Sequence, residues 1–106
     1  VTTPLWIWTG YHAIALIGHT LSKKDTASLN FATTLMSWMI WAAMLYTGHD
    51  GWFLWSNLPV ISLVFLAALA KFGVQPPKPD DIETATQTVW AATLRLGVVL
   101  ACWLLA

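Results

Sequence analysis

The chain has 106 residues, of which 58% are hydrophobic and 9% charged, with five Lys and Arg against five Asp and Glu and a mean hydropathy of +0.64. Soluble domains carry roughly 25% charged residues, so a water-facing surface is excluded, and zero net charge without a basic tract excludes nucleic-acid binding. The single Cys102 excludes an internal disulfide, and no His–Cys spacing suits a metal.

The charges cluster. Lys23, Lys24 and Asp25 form one group, Lys71, Lys78, Asp80, Asp81 and Glu83 another, and only Asp50 and Arg95 stand apart. The stretches between run about 18–25 residues, the length that crosses a hydrocarbon core about 30 Å thick. The expected fold is an all-α integral membrane protein, one polytopic domain over 1–106, built as a bundle of four short transmembrane segments.

The first segment spans about residues 4–21, PLWIWTGYHAIALIGHTL, with Pro4 suited to a first helical turn. The start, VTTPLWIW, lacks the basic stretch of a secretory signal. In the loop SKKDTAS, Asp25 or Ser28 is expected to cap the second segment, about 26–48, which Gly48 would stop. HDGW then reads as a tight turn.

The third segment is irregular. WFLWSNLP places two tryptophans and Asn57 ahead of Pro59, so residues 51–57 read as an interfacial approach and 58–72 as the spanning helix. At about 15 residues, or roughly 22 Å, that helix is short and needs local thinning of the bilayer. Gly73 ends it and VQPPKP is a stiff connector. Asp80 and Glu83 read as a capping pair for the fourth segment, about 81–106.

All four lysines fall on the side of the loops 22–28 and 74–80, which makes those loops cytoplasmic and puts both termini and the turn 48–57 outside. Trp6, Trp8, Trp52, Trp55 and Trp103 read as a belt at the outer interface and Trp90 marks the inner one. The localisation this implies is a bacterial inner membrane.

Arg95 is the anomaly. An arginine at the bilayer centre costs about 2.5–3.5 kcal/mol on insertion scales, and no acid lies at its depth. Three arrangements are open to it: a side chain snorkelling to the cytoplasmic interface, capping of free carbonyls near Pro59, or pairing with an anion that is not protein. By position along the segments, His12, Ser37 and Arg95 come near mid-depth, with Ser62 further out. Thr88 shares the Arg95 stripe, and His19 shares the His12 face. These six form the candidate polar cluster. Thr93, Gly97 and Ala101 form a small-residue ladder on the other face of the fourth helix, suited to close helix packing.

YHAIALIGHTLSKKD carries His12, His19 seven residues on and Asp25 six further. It resembles the haem-ligating helix of succinate dehydrogenase membrane anchors. The resemblance covers one segment and lacks the arginine that precedes the second histidine there. It implies haem b ligation, and His12 and His19 are too far apart on one helix to serve a single metal.

Catalytic sets are absent: there is no Ser–His–Asp arrangement, carboxylate pair, phosphate loop or zinc motif. The expected function is therefore non-enzymatic. The protein is read as a small membrane component without cofactor that assembles through its helices, as a homo-oligomer such as a pore or channel, or as a subunit of a larger complex. Its partners are then the lipid bilayer and copies of itself or other membrane subunits. One alternative is an electron-transfer subunit holding haem b or quinone between His12 or His19 and Arg95. Another is a holin-like or anionic-solute transport protein, although CWLLA lacks the charged tail of holins and no inverted repeat is visible.

Overall fold

The computed structural model describes residues 2–23 and 25–106, so Lys24, counted above among the loop cations, lies outside the described residues. The described chain is all-helical, with α1 (Thr2–Leu21), α2 (Ala27–Tyr46), α3 (Asp50–Phe72) and α4 (Pro79–Leu105). Two of these, α3 and α4, are long and apolar enough to cross a membrane.

The helix ends follow local chemistry, with several departures from expectation. Pro4 sits in the first turn of α1. Neither Asp25 nor Ser28 caps α2; the cap position is Thr26, which makes no side-chain capping bond. Gly48 does end α2. It adopts φ +78°, a left-handed conformation that costs glycine little. The Gly48 N–H then reaches the Leu45 carbonyl at 3.3 Å and the His49 N–H the Met44 carbonyl at 2.8 Å. The turn is thus Thr47–His49, and HDGW is not a turn, because Asp50 already begins α3.

The third helix is not short. It is continuous over 23 residues with Pro59 inside it, and the stretch read as an interfacial approach is helical. Pro59 removes one helical hydrogen bond, but the turn before it is reinforced by side chains. The Ser56 hydroxyl donates to the Trp52 carbonyl, and the Asn57 amide donates to the Phe53 carbonyl at 2.7 Å. Phe53, Asn57 and Ile61, four residues apart, are all buried, so packing holds both sides of the proline. Helix α4 starts at Pro79, whose missing N–H is no loss in a first turn. Asp80 and Glu83 therefore lie inside the helix and do not form the expected capping pair.

Helices α1 and α2 form one antiparallel hairpin, and α3 and α4 a second, more extensively packed one. Contacts of α1 with α4 and of α2 with α3 close the ring, the latter pair meeting least. The core lies toward the end that carries both termini and the α2–α3 turn, hereafter the termini end. Trp8, Leu45, Phe53, Val99 and Cys102 are buried there, and the Cys102 thiol donates to the Pro4 carbonyl at 3.4 Å. The opposite, loop end is different. From about residue 62 of α3 to residue 91 of α4, only Ala68 and Ala85 are buried, and none of the described residues in the corresponding half of the α1–α2 hairpin is buried.

Candidate functional site

The site grows from six side chains contributed by all four helices. Trp8 and His12 lie one turn apart on the buried face of α1, Ser37 and Trp41 one turn apart on α2, Asn57 on α3 and Arg95 on α4. Arg95 holds them together. Its Nε and Nη2 both donate to Asn57 Oδ1, at 3.1 and 2.8 Å, and its Nη1 donates to Ser37 Oγ at 2.9 Å. The Asn57 orientation is set in turn by its amide bond to the Phe53 carbonyl.

The chain of bonds continues through Ser37 to His12. His12 Nδ1 lies 2.9 Å from the Trp8 carbonyl, which can only accept, so Nδ1 carries a proton. In that tautomer Nε2 is an acceptor, and the Ser37 hydroxyl donates to it across 3.2 Å while accepting from Arg95. The hydrogen bonds thus run in one direction, from Arg95 Nη1 to Ser37, from Ser37 to His12 Nε2, and from His12 Nδ1 to the Trp8 carbonyl. Aromatic rings complete the setting. The guanidinium carbon lies 5.3 Å from the Trp8 ring centroid and 4.8 Å from that of Trp41, within cation–π range. Trp8 also packs against His12 and, edge-on, against Phe53. Trp41 is fixed by donating Nε1–H to Ser56 Oγ at 2.8 Å.

This disposes of snorkelling toward the loops. Trp8, Ser37 and Asn57 are reached by a side chain turned across the bundle, and the Asn57 and Trp8 contacts lie on the termini side. Nor does Arg95 cap backbone carbonyls near Pro59; its partner on α3 is the Asn57 side chain. All its hydrogen-bond acceptors are neutral.

Beyond this network, toward the loop end, the two hairpins part around a cavity of about 1010 Å³. Tyr11, His12, His19, Thr34, Ser37 and Arg95 supply polar atoms to its wall. Ile61 and Val64 of α3, with Ala92 and Val98 of α4, give the facing wall an apolar surface. His19 Nε2 and Thr34 Oγ1 are 3.1 Å apart, forming a tie between α1 and α2 nearer the loop end.

Of the six residues of the expected cluster, His12, Ser37 and Arg95 are hydrogen-bonded together and His19 lines the same cavity. Ser62 and Thr88 do not belong. Ser62 is exposed, because the adjacent Ile61 occupies the inward face. Thr88 shares the Arg95 stripe but lies two turns, about 10 Å, toward the loop end, and its hydroxyl folds back onto the Thr84 carbonyl at 2.8 Å. Trp8 is no belt residue: at 0% exposure it is part of the core, placed inward by its one-turn spacing from Pro4 and His12. Trp6, Trp52, Trp55, Trp90 and Trp103 are exposed.

Asn57 and the tryptophan contacts were not anticipated. Asn57 is the only amide side chain in the third segment, a signal that placing the helix start after it concealed. The ladder Thr93, Gly97 and Ala101 faces outward. With Ile7, Trp90, Leu94 and Val98 it lines an open groove of about 310 Å³, and a Cβ added to Gly97 would meet nothing within 4 Å.

Among the described residues no cluster of three or more His, Cys, Asp or Glu is placed to hold a metal ion. Both nitrogens of His12 are engaged, so an iron there would have to displace Ser37 or the Trp8 carbonyl. Comparison with protein-family models, curated proteins and solved structures finds no match to this chain.

Proposed function

We propose that the chain is a small integral membrane protein in which all four helices span the bilayer, acting without chemistry of its own as a component that assembles through its helices. Bacterial inner-membrane placement, with the loops 22–28 and 74–80 cytoplasmic, belongs to the same proposal and rests on the lysines gathered at that end. The membrane reading draws support from the surface. Ile14, Ile17 and Leu21 on α1, Leu29, Met36 and Ile40 on α2, and Leu63, Leu66 and Leu69 on α3 are all exposed. Contiguous apolar surface of this kind is a liability in water and ordinary in lipid.

The observation that carries assembly is the open groove along Thr93, Gly97 and Ala101. Small residues on a lipid-facing helix let a second backbone come close, and within one chain nothing fills this one. The test is the mass of the detergent-solubilised protein by light scattering, for the parent and for Gly97→Leu. A discrete oligomer that Gly97→Leu dissociates supports self-assembly through this face. A parent that is monomeric, and remains so after mild extraction of the native membrane with no co-purifying subunit, overturns it. An absorption spectrum recorded in the same run settles the electron-transfer alternative, which requires a Soret band.

A further inference from the structure

The cavity beside Arg95 is built asymmetrically. One end presents a guanidinium whose acceptors are all neutral, and the α3–α4 wall is hydrocarbon. A guanidinium has five N–H donors; three are bound by Asn57 and Ser37, leaving one on each terminal nitrogen. Arg95 is half-exposed and lines the cavity, so the free donors and the charge are both accessible from it. Its position is held by Asn57, itself 0% exposed, and by the Trp8 and Trp41 rings, so the fork is pre-organised. The cavity volume is that of a site for a ligand of drug or lipid size.

We propose that this cavity binds an amphiphile with an oxyanion head, a long-chain carboxylate or a phospholipid phosphate, its head on Arg95 and its chain along the α3–α4 wall. The inference rests on the membrane reading above, since both sources of the ligand are lipid. The charge is the deciding term. A neutral quinone oxygen could accept one of the free N–H groups but would leave the guanidinium uncompensated in a low-dielectric setting, whereas an oxyanion compensates it through charge-assisted hydrogen bonds. An inorganic anion would satisfy Arg95 and leave the apolar wall empty. The polar groups His12 and Tyr11 border the same end of the cavity and add to the polarity around the head.

The experiment is native mass spectrometry of the full chain, purified in detergent and delipidated, with oleate, phosphatidylglycerol, phosphatidylcholine, a short-tailed ubiquinone and inorganic phosphate added in turn. Saturable binding of oleate or of phosphatidylglycerol supports the proposal and identifies the source. Asn57→Asp supplies Arg95 with a carboxylate while keeping its acceptor, and is expected to weaken that binding about tenfold or more while the protein stays folded. Ala91→Phe, at an exposed position of the cavity wall, is expected to block the chain without touching the Arg95 bonds. Ubiquinone or phosphate binding in preference to both anionic amphiphiles overturns the inference, as does anionic binding unchanged in Asn57→Asp and Ala91→Phe. A protein that leaves the membrane fraction on alkaline washing without detergent overturns the membrane reading instead, which separates the two failures.

Discussion

The two ends of the bundle are built on different principles. At the termini end, all four helices meet through large side chains, Trp8 against Phe53 with Leu45, Val99 and Cys102 around them, and a polar network crosses that core. At the loop end, the buried side chains are the small Ala68 and Ala85 of the α3–α4 hairpin, and His19 and Thr34 form a hydrogen bond within the other. The difference shows what large buried side chains contribute here: they fill the space between the hairpins at the termini end. Space for a ligand is left where they run out.

The largest way to break this contrast is at Asn57. Replacing it with Leu removes two of the three hydrogen bonds Arg95 makes, and a hydrogen bond to a charged group is worth about 1.5–3 kcal/mol. Reversible unfolding in mixed micelles should register a loss of that order, and a change below about 1 kcal/mol would show that the guanidinium finds other partners. Overpacking comes next. Ala68→Leu inserts bulk at a fully buried position of the α3–α4 hairpin and is expected to cost about 1–3 kcal/mol, while leaving the termini-end core, read by near-UV circular dichroism, unchanged.

Smaller effects sharpen the comparison. Thr34→Val removes the His19 tie at the loop end, and hydrogen bonds between membrane helices average about 0.6 kcal/mol, so the unfolding midpoint should scarcely move. Trp8→Phe is expected to be close to neutral despite its central place. Trp8 Nε1 is buried with no hydrogen-bond partner among the described residues; removing such a donor recovers about 1–3 kcal/mol, which offsets the packing lost. A large destabilisation by Trp8→Phe would mean that the indole N–H has an acceptor after all.

The number and order of helices were legible from the spacing of charged clusters and from punctuation by Gly48, Gly73 and Pro79. Arg95, His12 and Ser37 were legible as a group because counting from the segment ends puts them at one depth. Pro59 misled, since proline forbids one hydrogen bond rather than a helix, and the buried Phe53, Asn57 and Ile61 hold the turns on both sides of it. That error hid Asn57, the acceptor that most closely engages the arginine. Trp8 was misassigned for another reason. Tryptophan serves both interfaces and cores, and only the packing of α1 against α4, with the Phe53 ring of α3 reaching Trp8, decides between them.

The most direct measurement is a double-mutant cycle between Ser37 and Arg95, residues of different hairpins joined by a 2.9 Å hydrogen bond. Unfolding free energies of Ser37→Ala, Arg95→Gln and the double variant give the coupling. The arrangement described predicts about 1–2 kcal/mol, in the range found for contacting residues of one network. Additive effects, with coupling near zero, would contradict the view that Arg95 ties the two hairpins together.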